Sequence, residues 1–249
     1  MVRHILVIMD KEWSDIKTTL FSKGNPAAGL LPLLLISGAV SVYEPLRIGL
    51  AWLQSPIMVF FLVVLVPISV IGFVSPDSFV RERRRGTLEP LLATPISDQA
   101  LLFGKIGMAG LYGWGIMLAD MLLSLVTLNI AYASGGILLY SYGMSIAVIT
   151  TGLLFCFLLA TGGVYYSLYA TTLLEAQNGL GMLVFVPIVL VALFVSPYTP
   201  GWWQGLVAQG VATIGVPVLF LISVAILLVM NGVLLVVTQA HFQRKRLIF

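Results

Sequence analysis

Apolar positions in this chain fall in long unbroken runs, not in the alternation of a strand or the one-sided stripe of a soluble helix. No Asp, Glu, Lys or Arg occurs in 24–43, 48–76, 121–174 or 176–243. A mostly apolar, charge-free run of about 18 or more residues is long enough to cross the hydrocarbon of a bilayer as a helix. The breaks in these runs predict six spans, over 27–43, 56–74, 103–132, 141–166, 179–195 and 213–238. The last two share one run, divided at Ser196-Pro197-Tyr198-Thr199-Pro200-Gly201, where two prolines and a glycine stop a helix. The expected fold is an all-α membrane protein, one transmembrane domain over 1–249. Residues 1–24, 77–98 and 196–212 lie outside the spans, and 196–212 has room for a short helix with Trp202-Trp203 in an interfacial belt.

Composition strengthens this reading. Of 249 residues, 59% are hydrophobic and 9% charged, against roughly 25% charged in soluble domains. The mean hydropathy is +1.06. So few charges cannot cover a water-facing surface, which excludes a soluble enzyme. The formal net charge of +3 is a topological excess and not a basic reading face, which excludes a nucleic-acid binder. With six spans, Arg3, Lys11, Lys17, Lys23, Arg81, Arg83, Arg84, Arg85, Lys105, Arg244, Lys245 and Arg246 share one side and only Arg47 lies opposite. The positive-inside rule then puts both termini in the cytoplasm. Cys156 sits in an apolar run and reads as a buried structural thiol. The apolar run at the N-terminus, Ile5 to Met9, is too short for a cleavable signal, so the mature chain is expected to begin at Met1.

Two stretches outside the spans have helical design of their own. Ile5, Met9, Trp13, Ile16 and Leu20 follow a helical stripe, with Asp10, Ser14, Lys17 and Thr18 opposite, as in a helix lying along the membrane interface. Between the second and third spans, Arg81-Glu82-Arg83-Arg84-Arg85 ends one helix and suits the anionic lipid surface. Gly86 can stop that helix in a left-handed conformation. Thr87 can cap a new short helix, with Leu88, Leu91 and Leu92 on one face. Thr94-Pro95 ends it, and Ser97-Asp98 caps the helix that enters the third span. Three leucines and two stop signals fit a protein-docking helix better than a charged loop.

The run Glu82, Gly86-Thr87-Leu88-Glu89, Leu92, Thr94-Pro95-Ile96-Ser97 and Gly104-Lys105 resembles the cytoplasmic signature of ABC-2-type transporter permeases, the membrane subunits of ATP-binding cassette exporters. The resemblance extends in layout to the N-terminal helix, the six spans and the outer region before the sixth. One departure is the extra positive charge of Arg83-Arg84-Arg85. The resemblance implies that the short helix is a coupling helix, with Thr87, Leu88, Glu89, Leu91 and Leu92 contacting a separate ATPase subunit. It also implies two ATPase copies and a second permease copy or close relative, in the cytoplasmic membrane of a prokaryote. ATP and Mg would be held by the ATPase, and this chain would hold no cofactor or metal. Thr171 to Gly179 can form one capped turn, a candidate second coupling element with Leu174, Glu175 and Gln177; a plain turn between spans is the other reading.

Gly104-Lys105 is followed by Ile106 and begins a span, so it is no nucleotide-binding loop, and no catalytic motif is present. Inside the membrane, Gly104, Gly107, Gly110 and Gly113 allow close helix approach, within the bundle or between subunits. Asp120 is the one carboxylate deep in a span; counted from Lys105 as the inner boundary it falls in the outer half. With Asn129 and Asn231 it is a candidate for the translocation path or for bundle hydrogen bonding. A secondary transporter or channel using Asp120 is the alternative function.

Overall fold

The computed structural model describes residues 2–20, 26–133, 136–195, 200–202, 204, 205, 209 and 215–242. The described chain is helical throughout. In order it contains α1 (Val2–Leu20), α2 (Pro26–Gly38), α3 (Glu44–Ile48), α4 (Pro56–Phe60), α5 (Val66–Arg84), α6 (Leu88–Leu92), α7 (Asp98–Tyr132), α8 (Tyr142–Tyr169), α9 (Leu173–Val195) and α10 (Val216–His241). Short π-helical turns join α2 to α3 over Ala39–Tyr43 and α4 to α5 over Phe61–Leu65, and a 3-10 turn follows α3 over Gly49–Gln54. Among the described residues, five stretches are long and apolar enough to cross a membrane: Leu33–Gln54, Met58–Arg84, Asp98–Tyr132, Tyr142–Tyr169 and Pro217–His241. α9 adds 23 residues, with a shorter apolar segment at Leu173–Val186. Most of 196–212 and the predicted start of a span at Thr213 lie outside the described residues.

The caps follow the sequence closely. Ser97 Oγ accepts from Ala100 N at 3.3 Å to start α7, and Ser141 Oγ accepts from Met144 N at 3.3 Å to start α8. Both hydroxyls satisfy amides that a helix start leaves without partners. The expected loop at Glu44–Arg47 is instead helical. The Arg47–Glu44 pair, 2.9 Å, sits on α3 as an exposed i,i+3 contact, worth little against solvent. The turn comes later, at Gly49, whose φ of +70° suits a residue with no Cβ. The Tyr132 hydroxyl donates to Leu46 O at 2.8 Å and so ties this turn to the end of α7.

Hydrophobic burial does not drive helices together in lipid; close packing does. The glycines of α7 provide it within the bundle. A Cβ on Gly104 would stand 2.6 Å from Ile8 of α1, and one on Gly110 would stand 3.2 Å from Phe157 of α8. Gly113 takes Ile71 of α5, and on α8 Gly152 takes Met117 and Gly163 takes Ser75. Among the described residues, two large buried clusters result, with a third small one of Val80, Ala170 and Ala176. One gathers Ile8, Phe79, Leu101, Leu159 and Leu180 at the end of the bundle where α6 lies. The other gathers Val40, Trp52, Leu62, Met117 and Leu128 toward the far end. Phe242, just past α10, stacks on Phe79 at 6.0 Å between ring centroids. The start of α1 and the end of α10 therefore share the α6 end. Cys156 is buried as expected.

The stripe expected on α1 is displaced. Ile8, Glu12 and Ile16 are the buried positions, while Met9 is half-buried, Trp13 is exposed and the Leu20 side chain lies outside the described residues. The spacing is helical, but it is set one position over because the helix docks on Gly104 through Ile8. The buried face of α1 shares Ile16 with the expected stripe and also contains a carboxylate, Glu12.

Candidate functional site

At the α6 end, three elements contribute charges to one buried cluster. Lys105 of α7, 2% exposed, donates to Glu12 Oε1 of α1 at 2.6 Å, to Glu82 Oε1 of α5 at 3.1 Å and to Ser78 O at 3.2 Å. Its ammonium also lies 4.8 Å from the centre of the Phe79 ring. Lys11 donates to the same Glu82 oxygen. Arg81 reaches Glu12 at 3.5 Å, Asp15 at 3.7 Å and Asp77 at 3.8 Å. Each charge removed from water thus meets an opposite one, the condition under which buried ions are tolerated. This cluster ties α1 to α5 and α7, beside the packing of Ile8 on Gly104. The sequence reading missed it; the signal was a Glu12 on the docking side of α1 and a Lys105 inside a glycine-rich span.

Arg83 acts differently. Its guanidinium donates to Ala170 O, and to Leu168 O at 3.0 Å, satisfying carbonyls left open at the end of α8. Of the arginine run expected to face lipid headgroups, Arg81 and Arg83 are therefore engaged within the chain. Arg84 and Arg85 remain exposed and pair with Asp77 at 3.1 Å and Asp15 at 3.5 Å.

The end of α5 and the start of α6 form a two-bond stop. Gly86 has φ +66°; its N–H donates to Arg83 O at 3.2 Å, and Thr87 N donates to Glu82 O at 3.0 Å. This is the 6→1 and 5→2 pairing of a glycine-terminated helix. Thr87 does not cap α6 with its side chain as expected. Its hydroxyl donates back to Glu82 O at 3.4 Å, and its backbone is already helical. Leu88 corrects the reading more strongly: it is 4% exposed and belongs to the chain's own core, with Leu91 half-buried beside that core. The apolar face of α6 thus anchors the helix to its own bundle. Glu89 and Pro90 face outward, and the Leu92 side chain lies outside the described residues. Thr94 Oγ1 donates to Leu91 O at 2.6 Å where the turn ends.

Leu174, Glu175 and Gln177 do not form a separate turn. They open α9, which runs through Gly179 because that glycine lies against the Tyr166 ring. Thr172 Oγ1 accepts from Glu175 N at 3.2 Å, and Glu175 Oε2 accepts from Thr172 N at 3.3 Å and Thr171 N at 2.9 Å. This is a reciprocal capping box. The amide and hydroxyl of Thr171 and the Thr172 amide hold the Glu175 carboxyl below its usual range. Leu174 and Glu175 are exposed at the same end as α6, while Gln177 is half-buried.

Within the bundle, Asp120 is 4% exposed and its Oδ2 accepts from Ser37 Oγ of α2 at 3.1 Å. α7 has 35 residues, about 52 Å at ~1.5 Å each, far more than a ~30 Å core. Counting ~30 Å back from Tyr132 reaches Tyr112, whose ring lies 5.9 Å from that of Trp13. Along the helix Asp120 lies about 12 Å from Tyr112 and 18 Å from Tyr132, so a core set between these two tyrosines places it near the middle, where a count from Lys105 places it in the outer half. Asn129 Nδ2 donates to Leu138 O at 2.9 Å and Leu138 N donates to Asn129 Oδ1 at 2.8 Å, pinning the α7–α8 connection. Asn231 of α10 donates to Leu154 O of α8 at 3.0 Å. Both amides serve the bundle.

A bundle of long apolar helices, with its charges gathered at one end around a short separately stopped helix, defines a multi-pass membrane protein. The family model for ABC-2 family transporter proteins matches residues 26–174. The chain belongs to that family, whose members are the membrane components of transporters. The match takes in α2 through α8, including α6 and all of the arginine run. No curated protein matches the chain.

Proposed function

We propose that this chain is the membrane-spanning permease subunit of an ATP-driven exporter, working in the cytoplasmic membrane with separate ABC ATPase subunits that bind ATP and Mg. Two permeases, identical or closely related, would pair with two ATPases, and substrate would cross between them. Six spans with both termini in the cytoplasm fit the common location of α1 and the end of α10, with α9 as the fifth span. α1 is then the interfacial helix and α6 the coupling helix. The observation that carries this reading is the mounting of α6: Leu88 is sunk in the core with Leu91 half-buried against it, while Glu89 and Pro90 project from the same end. A helix so held moves with the ends of α5 and α7, and a partner pressing on its outer face displaces the spans as a rigid lever. The exposed Leu174 and Glu175 at the start of α9 offer a second contact.

The contact surface is therefore Glu89 and its exposed neighbour Pro90, not Leu88, which the chain's own core takes up. The test is affinity purification from the native membrane with wild type and Glu89→Lys. An ABC ATPase is expected with the wild type, and in the variant transport should fail while the permease itself is made and melts as before. Wild-type permease that brings no ATPase, or a variant that transports normally, would sink the assignment. A secondary transporter or channel built on Asp120 has less support, since that carboxylate takes its hydrogen bond from Ser37 and no Lys or Arg lies at its depth.

A further inference from the structure

Beside α1 lies a groove that the transport reading does not use. It runs between α1 and α7, has a volume of about 630 Å³, and is lined by Asp10, Trp13, Leu111, Tyr112, Gly115 and Ile116 among others. Its size falls in the range of sites that hold small organic ligands. Trp13 and Tyr112, their rings tilted at 58° with centroids 5.9 Å apart, both line it, and paired aromatics of this kind suit a headgroup level. Gly115 and Ile116 lie just inside the hydrocarbon from there, and a Cβ on Gly115 would meet nothing within 4 Å. The deep part of the groove is thus an open apolar slot at acyl-chain depth.

The rim has two opposite charges. Asp10 is exposed at the groove and has no ion-pair or hydrogen-bond partner among the described residues. Lys17 follows Trp13 by one turn, but its side chain folds back so that Nζ lies 4.9 Å from the Trp13 ring centre. The ammonium thus stands over Trp13, a lining residue that follows Asp10 by less than one turn of α1, and sits beside the groove, not in its lining. A carboxylate and an ammonium at that spacing, above an apolar slot, match a headgroup with both a protonated amine and a phosphate.

We propose that this groove is a binding site for a zwitterionic aminophospholipid of the phosphatidylethanolamine type. One acyl chain would lie along Leu111, Gly115 and Ile116, the phosphate would meet Lys17, and the primary ammonium would donate to Asp10. A phosphatidylglycerol headgroup would bring a phosphate and no cation for Asp10. A choline headgroup has a cation but no N–H to donate to the carboxylate. The inference does not depend on the ATPase reading, because it concerns lipid held by this chain alone.

The test titrates palmitoyl-oleoyl phosphatidylethanolamine, phosphatidylglycerol and phosphatidylcholine into the delipidated full-length protein and reads bound lipid by native mass spectrometry. The ethanolamine lipid should bind at least about tenfold more tightly than the other two, a ~1.4 kcal/mol difference. Asp10→Asn, at an exposed position that does not threaten the fold, should erase that preference. Gly115→Leu should abolish retention of all three by filling the slot, with the melting temperature unchanged. Equal retention of the three lipids by the wild type would overturn the proposal. So would a preference that survives Asp10→Asn.

Discussion

Removing the Lys105 ammonium would leave Glu12 with Arg81 and Glu82 with Lys11, and take away the one cation the two carboxylates share in a space that excludes water. Lys105→Met is expected to cost up to about 3–5 kcal/mol, the range for breaking a buried ion pair from one side. Pairing it with Glu12→Gln should recover part of the loss, since one of the two under-compensated carboxylates is then neutral. Thermal unfolding of the three purified variants measures this, and a fully additive double variant would show that the residues do not act as one network. Asp120 calls for a subtler comparison. Its hydrogen bond to Ser37 can be kept by an amide oxygen, so Asp120→Asn should leave both transport and melting unaltered. Asp120→Leu should destabilise by about 0.6–1.7 kcal/mol, the scale of hydrogen bonds between spans. Altered transport in the Asn variant, with normal melting, would move Asp120 into the translocation path.

At the scale of elements, α6 separates anchoring from contact. Leu88→Ala removes a buried side chain from the core and should cost about 2–5 kcal/mol of stability, whereas Glu89→Gln should leave the melting temperature alone. If instead Leu88→Ala melts like the wild type, α6 is not seated in the bundle. The start of α9 gives a pH dependence. Glu175 is held below the ordinary carboxylate range by the Thr171 and Thr172 amides, so its folded-state value is the lower one. The cap is then fully in place above the unfolded value near 4.5 and is lost as pH falls through the folded value. Protection of the Thr171 and Thr172 amides, measured as exchange relative to the intrinsic rate at each pH, should fall in that acidic window and stay constant between pH 6 and 8. Thr172→Ala should loosen the same turn at neutral pH, by about 1 kcal/mol.

For the whole molecule, the crossing pattern can be read by labelling. Cys156 is buried, so cysteines introduced at the exposed Glu89 and Arg47 report separately. A membrane-impermeant thiol reagent should reach Arg47→Cys in intact cells and Glu89→Cys only after the membrane is opened. Labelling of both from one side would refute the topology in which α3 and α6 lie at opposite surfaces. The match to the ABC-2 family over 26–174 makes α2 through α8 the portion for which this topology is most directly testable.

The membrane class, the positions of the long apolar helices, the glycine stop at Gly86 and the Ser97 cap were legible in the amino-acid order. These are local matters: a charge-free run, a residue without Cβ or a hydroxyl before a helix acts within one or two turns of itself. The ABC-2 family signature was legible too, as a pattern of residue types. The sequence could not say which way the leucines of α6 face, because an apolar stripe reads the same whether it meets a partner or its own core. Nor did it show that Glu12, Glu82 and Lys105 meet, since the cluster joins residues separated by 93 and 23 positions. The same holds for Arg83 at the end of α8 and for the depth of Asp120. Each of these depends on how separate helices are set against one another, and that setting was decided where Ile8 closes on Gly104 and Ile71 on Gly113.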